Sequence, residues 1–373
     1  MNHGPVGVAV IGAGMISKQY LDNLTAFPDL NVIAVTDLFP EAARARAEEF
    51  GIAEHGAPEL ALGHPDVDII VNLTIPAAHV EVATAAVRAG KHVWSEKPFS
   101  LDRESGLALL EEADDAGLRL GCAPDTFLGA GLQTARRVIE RGDIGVPLTA
   151  QTVFQTPGPE SVHPNPAFLY QRGAGPLFDM GPYYLTALVQ TFGSVRRVAA
   201  LGSKARATRV IGSGPKAGEE FEVEVPTHVS AMAQFESGAS SHSVFSFDSP
   251  RVRMGFVEIT GTEATLSVPD PNYFDGDLEI CRAGQHEWTK IPTTGPANGR
   301  GMGVLDMARS IRSGQPHRAT GRLAYHVLDT MVSISKSVHA GMQFVDVASS
   351  APPAAPIPVD WAPTEATLEG VPA

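Results

Sequence analysis

The chain of 373 residues has only two cysteines, Cys122 and Cys281. Its twelve histidines show no metal-binding cluster. A disulfide framework and a structural zinc are therefore excluded, no metal ligand is assigned, and both cysteines read as small hydrophobes in a reducing compartment. No run of about 18 apolar residues occurs, so no segment is expected to span a bilayer. Basic residues are scarce, 28 Lys and Arg against 42 Asp and Glu, giving a net charge of −14. Such a chain gains nothing from phosphate backbones, which argues against nucleic acid as a partner. The opening MNHGPVGVAVIG lacks a basic segment followed by an apolar core and a cleavage site. The expected location is the cytoplasm.

What is present is a regular alternation. Apolar strand-like runs at 6–12, 31–37, 67–74, 91–96 and 118–123 are separated by helical patterns up to about residue 26, then at 40–51, 77–90 and 102–117. Pro40 suits a first helical turn, and Gly51 and Gly90 suit helix ends. Apolar strands separated by helices predict a doubly wound parallel sheet, an α/β domain over 1–125. A helix at 131–142 follows, and then the pattern changes. Strands at 148–156, 195–205, 229–236, 242–248, 256–268 and 277–291 come nearly in succession, with helices at about 181–192, 303–313 and 322–340. This predicts a second α/β (α+β) domain over 126–348 with an open, mainly antiparallel sheet. Residues 349–373 are rich in Ala and Pro and read as an extended tail, with at most Val359 and Trp361 docked.

The first chemical signal is GAGMIS at 12–17. Gly12 permits a tight turn after the first strand, and Gly14 lets the backbone approach a pyrophosphate facing the helix N-terminus. Ser17 stands at the third glycine position and is small enough for close packing of helix on strand. Met15 and Ile16 are counted with this turn as cofactor contacts. Asp37 ends the second strand near the spacing of the acid that binds a ribose 2′-hydroxyl. Its charge repels a 2′-phosphate, so NAD is favoured over NADP, although Arg44 and Arg46 follow on the next helix.

The second signal is HVWSEKPFS at 92–100, where an apolar strand stops at a Glu-Lys pair and a proline. Ligands sit beyond the carboxyl ends of parallel strands, which puts Lys97 at the ligand edge, with Glu96 beside it. Taken alone, the pair reads better as a solvated strand exit.

GAGMIS, NLTIPAAH at 72–79, AGKHVWSEKP at 89–98 and GAGPLFDMGPYYLT at 173–186 together resemble the glucose–fructose oxidoreductase / inositol dehydrogenase / MocA family, in order and spacing up to about residue 345. The resemblance implies a Rossmann domain followed by an open-sheet domain, with Lys97 beside the nicotinamide and the substrate hydroxyl. Thr74 and His79 fit the family's Thr-Pro-x-x-x-His string as cofactor-side residues, with the proline shifted to Pro76. Asp179 and Gly181 fit its Asp-x-Gly-x-His-x-x-Asp signature. The histidine position is Tyr183 and the last Asp is Thr186.

A phenol ionises near pH 10, and a neighbouring ammonium favours the phenolate. Tyr183 is therefore the expected acid/base, Lys97 the group that steadies the developing oxyanion, and Asp179 the residue that orients Lys97 or a substrate hydroxyl. Pro182 also makes Asp179 resemble a helix cap, and Tyr184 is read as a half-buried aromatic on the helix. The polar, aromatic loop 158–171 offers His163, Asn165 and Tyr170 to a sugar or cyclitol ring. Asp125 and Arg300 are further substrate-binding candidates.

The reading is an NAD-dependent oxidoreductase acting on a secondary hydroxyl of a sugar, cyclitol or glycoside, expected as a homodimer or homotetramer. A nicotinamide-binding sensor on the same scaffold, or an NADPH-preferring ketone or diol reductase, remains open at this point.

Overall fold

The computed structural model describes residues 4–368 and divides into two units. The first contains the chain up to Gly129, Gly295–Tyr325 and the segment from Ala354 onward; the second contains Ala130–Thr294 and His326–Pro353.

In the first unit, β1 (Val6–Ile11), β2 (Leu30–Thr36), β3 (Glu54–Gly56), β4 (Ile69–Asn72), β5 (His92–Ser95) and β6 (Leu120–Cys122) form a parallel sheet in the order β3-β2-β1-β4-β5-β6. The connections carry α1 (Met15–Leu24), α2 (Pro40–Phe50), α3 (Pro58–Gly63), α4 (His79–Arg88) and α5 (Arg103–Asp115). Every residue of β1, β4 and β6 is buried, which explains their unbroken apolar character. The strand order reverses beside β1, so a crevice opens beyond the carboxyl ends of β1 and β4. Pro40 lies in the first turn of α2 and Gly51 caps its end, as the sequence pattern predicts.

The second unit opens with α6 (Ala130–Glu140), β7 (Pro147–Gln155) and α7 (Gly175–Phe192). There follow β8 (Val195–Ser203), the short ribbon of β9 (Thr208–Val210) and β10 (Glu220–Glu222), β11 (His228–Phe235), β12 (Ser240–Ser246), β13 (Arg253–Gly261), β14 (Ala264–Val268), β15 (Leu278–Arg282) and β16 (Thr289–Ile291). With β17 (Val345–Asp346) they build a nine-stranded sheet in the order β16-β15-β14-β13-β7-β12-β11-β8-β17. All pairs are antiparallel except β7 with β12. Burial alternates along the strands. In β7, Ala150, Thr152 and Phe154 are buried and Gln151 is exposed, as expected of a sheet with one covered face.

Two boundaries differ from the linear reading. α8 (Met302–Ser313) and the start of α9 (Gly321–His339) belong to the first unit, although the sequence places 295–325 in the second domain. The stripe Val304, Leu305, Met307, Ala308 is fully buried, but an apolar stripe does not say which core it will join. The tail is likewise docked over residues 354–368. Asp29 accepts hydrogen bonds from the Thr367 amide (2.7 Å) and the Leu368 amide (2.8 Å), and the Arg309 guanidinium stacks 4.7 Å from the Trp361 ring. Ile357 is buried, whereas Val359, an expected anchor, is exposed. Among the described residues no helix is long and apolar enough to cross a membrane.

Candidate active site

The carboxyl edge of the first sheet is built from backbone. Gly12 takes φ +109°, and a Cβ there would lie 2.6 Å from the Leu73 carbonyl oxygen, so only glycine fits. At Gly14 a Cβ would meet nothing within 4 Å, leaving open space where a pyrophosphate would approach the start of α1. Ser17 is fully buried, its hydroxyl donating to the Gly14 carbonyl at 2.6 Å.

Asp37 sits directly on this turn. One carboxylate oxygen accepts the Ala13 amide at 2.7 Å and the other the Phe39 amide at 2.8 Å. Arg44 and Arg46 pair with glutamates of their own helix, Glu41 and Glu49, and Arg46 also donates to the Gly14 carbonyl at 3.3 Å. Met15, Leu38, Phe39 and Ile75 stand exposed at the same edge, an unusual grouping of large apolar side chains for a solvent-facing surface, while Ile16 is half-buried. Open space at Gly14, a carboxylate for a ribose diol and apolar walls together fit NAD.

Beyond β4, Thr74 is half-buried and donates its hydroxyl to Asn72 at 2.7 Å. His79, expected against the cofactor, is buried instead. Its Nδ1 lies 2.7 Å from the Pro98 carbonyl and its Nε2 3.0 Å from the Thr74 carbonyl, so the ring spans the loops after β4 and β5. A neutral ring donates to one of the two carbonyls and an imidazolium to both. Glu96 is also turned inward. Its carboxylate accepts the Tyr20 hydroxyl at 2.8 Å and the Lys97 amide at 2.9 Å, and lies 3.5 Å from Arg300. Arg300 thus shares the Glu96 network, and its Nε donates to Gln19 at 3.2 Å. Lys97 itself is half-buried at the sheet edge and precedes a cis peptide bond to Pro98.

Asp125 is corrected outright. It is fully buried and accepts the Gly301 amide (2.9 Å) and the Gly303 amide (3.0 Å), closing the N-terminus of α8. Burial outweighs these bonds and pushes its carboxyl up to about 6.

In the second unit, Asp179 and Tyr183 lie one turn apart on α7, four residues being the spacing of one helix face. Asp179 is half-buried and Tyr183 buried. The helix begins at Gly175 with Pro176 in its first turn, six residues before the expected start, so Asp179 is no cap and Pro182 lies inside the helix. Tyr184, expected to be half-buried, is a core residue. It is fully buried, accepts the Gly255 amide at 2.8 Å and packs edge-on against Phe154 and Phe245.

Tyr170 is also core, contrary to expectation. It is fully buried, donates to Glu160 and lies under the Arg209 guanidinium. Arg209, missed from the sequence, is buried between Glu160 and Asp248, reaching the latter at 2.5 Å, and also donates to the Pro157 carbonyl at 2.8 Å. It fixes the start of the loop, while His163 (half-buried, edge-on to Phe168) and Asn165 (exposed) stay on the outer part. Nothing local marks Arg209, because its acidic partners are 49 and 39 positions away.

Residues 6–123 match a family model described as an oxidoreductase family with an NAD-binding Rossmann fold, and residues 132–267 match the GFO/IDH/MocA C-terminal domain. Inositol 2-dehydrogenase 3 of Saccharopolyspora erythraea is 33% identical over 42% of this chain and 48% of its own length. The matched stretch therefore spans about half of that relative. Trans-1,2-dihydrobenzene-1,2-diol dehydrogenase of Bos taurus is 24% identical over 81% of this chain and 86% of its own. An NAD binding oxidoreductase from Klebsiella pneumoniae shares the fold with a TM-score of 0.82 at 23% identity, covering 93% of this chain and all of its own. With an NAD-binding Rossmann fold in its first unit and the matching C-terminal domain in its second, the chain belongs to the GFO/IDH/MocA oxidoreductase family.

Proposed function

We propose that this protein is an NAD-dependent dehydrogenase acting on a secondary hydroxyl of a sugar, cyclitol or glycoside. The observation that carries the reading is the grouping, at one edge of the first sheet, of the Gly12–Gly14 turn, Asp37 and Lys97. That edge offers a seat for a dinucleotide and an ammonium for an oxygen gaining charge. Bound NAD supplies the hydride acceptor. Tyr183 takes the hydroxyl proton as the carbon–hydrogen bond breaks. Lys97 stabilises the oxygen as it becomes a carbonyl, and Asp179, one turn before Tyr183, orients a neighbouring hydroxyl. The inositol dehydrogenase relative supports a polyhydroxylated ring as substrate.

A cyclic diol is the second reading, supported by the bovine diol dehydrogenase, which aligns over most of the chain. Asp37 argues against NADP in either case. The outer face of the second sheet exposes Leu201 and Met232, which supports a homo-oligomer formed through that face. Light scattering of the wild type and of Met232→Glu checks it. For the activity, NAD⁺ and NADP⁺ reduction is followed across inositols, aldoses, glycosides and cyclic diols. Turnover of one ring polyol with NAD⁺ supports the proposal. Silence across the panel with NADH still bound would favour a sensor instead.

A further inference from the structure

Lys97 is held by its own backbone, from both sides. On the N-terminal side the Glu96 carboxylate folds back so that Oε2 accepts the Lys97 amide at 2.9 Å, while Oε1 accepts the Tyr20 hydroxyl at 2.8 Å. The Tyr20 oxygen in turn accepts the Trp94 indole N–H at 3.2 Å. On the C-terminal side the Pro98 carbonyl, one residue beyond Lys97, faces His79 Nδ1 at 2.7 Å, and the same ring reaches Thr74 with its other nitrogen.

These partners are buried. Tyr20 and Trp94 are 0% exposed, His79 is 1% and Glu96 is 8%, so water does not compete for the bonds. The far end of the chain is rigid, because a Cβ at Gly303 would lie 2.0 Å from the Trp94 ring. Burial first, then the Glu96 charge, keeps the Tyr20 phenol protonated and therefore a donor.

Packing alone does not call for this arrangement. A phenylalanine would fill the place of Tyr20, and a buried carboxylate bound to the next residue's amide costs desolvation that an apolar side chain avoids. What the arrangement does achieve is a fixed backbone at residue 97. It also links that backbone to α1, the helix that starts at the glycine turn.

We propose that Tyr20 and His79 are positioning residues for Lys97, clamping residues 96–98 from the two sides and tying the lysine to the dinucleotide-binding helix. The proposal rests on the reading of Lys97 as the ammonium beside the reacting oxygen. When Tyr20 loses its hydroxyl, Glu96 keeps Arg300 nearby and can swing toward it, releasing the Lys97 amide. The ammonium then samples a wider volume while the dinucleotide seat is untouched.

The test uses full-length wild type, Tyr20→Phe, His79→Gln and Lys97→Met. In Tyr20→Phe, kcat should fall about tenfold to a hundredfold, while KM and NADH affinity stay within about twofold, the signature of misplacement rather than lost binding. A readout independent of substrate is reductive methylation followed by mass spectrometry. The labelling rate of Lys97 relative to Lys18 and Lys290 should change by about threefold or more in Tyr20→Phe and His79→Gln. Unchanged Lys97 labelling in both variants overturns the clamp, whether or not a substrate is known. So does unchanged kcat where Lys97→Met is inactive. A variant that loses NADH binding and melting temperature together also counts against it, because that outcome assigns the residue to the core. An Lys97→Met enzyme as active as wild type would sink the functional reading instead, and the labelling result would still judge the clamp.

Discussion

The two units reach their functional residues by different means. In the first, the sheet is parallel and buried on both faces, so the chemistry is confined to the carboxyl ends of the strands, and short local strings announce it. The Gly12–Gly14 turn and Asp37 follow their strands directly, and Lys97 stands two residues beyond the end of β5. In the second, the sheet is mixed, and the proposed acid/base and the candidate substrate residues stand on α7 and on a loop held from afar by Arg209. A site made by strand ends is written locally; a site made by packing is distributed along the chain. The NAD-binding Rossmann match falls on the first unit, and under the proposed function the second unit supplies the side chains that meet the substrate.

The comparison is sharpened first at the chemistry. Lys97→Met should lower turnover about 10²- to 10⁴-fold with NADH affinity retained, measured by initial rates and fluorescence titration. Equal loss of NADH binding would move Lys97 from catalysis to cofactor binding.

Next comes Arg209 in the second unit. Arg209→Met leaves Glu160 and Asp248 buried without their cation and should destabilise the protein by about 3–5 kcal/mol in denaturant unfolding. NADH affinity of the folded fraction should be unchanged, because the two carboxylates belong to the second unit. Tighter or weaker NADH binding would break the division of labour.

A smaller effect is expected at Asp37. Asp37→Ser should cut the preference for NAD over NADP about tenfold or more, read as a ratio of kcat/KM values. An unchanged ratio would remove Asp37 from cofactor choice.

The smallest effect is in acid, and it tests whether the units respond alike. Each holds a neutral histidine, the half-buried His92 in the first and the buried His326 in the second. His92 and His326 are both pushed down to about 4 by burial. His326 accepts the Val195 amide at 2.9 Å with Nε2, a bond that a protonated ring cannot make. The folded pKa lies below the unfolded value, so the contribution is whole above about pH 6.5 and is lost as pH falls toward 4. His326→Gln should flatten that acid limb in thermal melts; an unchanged slope would mean the titration lies elsewhere.

The fold was largely legible. Apolar runs and their helical separators marked the Rossmann strands, although the three-residue β3 is too short to announce itself. Segments that return to an earlier unit were not legible, since α8 and the tail after 354 carry ordinary apolar and Pro-rich patterns that name no partner. Within the site, Gly12, Gly14, Asp37 and Lys97 stood out because each obeys a rule about its neighbours in sequence. Tyr20 did not, because its partner Glu96 lies 76 positions away and an aromatic residue on α1 reads as core. Asp125 and Tyr170 misled for the converse reason: both are polar residues in suggestive places that lie fully buried against partners inside the fold.

The most direct test of the account is Tyr183→Phe, assayed on whichever ring polyol the wild type oxidises, with NADH affinity measured on the same sample. The account predicts turnover lower by about 10²- to 10⁴-fold with cofactor binding intact, since only the proton acceptor is removed. A Phe variant that turns over within about twofold of wild type would contradict it and take Tyr183 out of the chemistry.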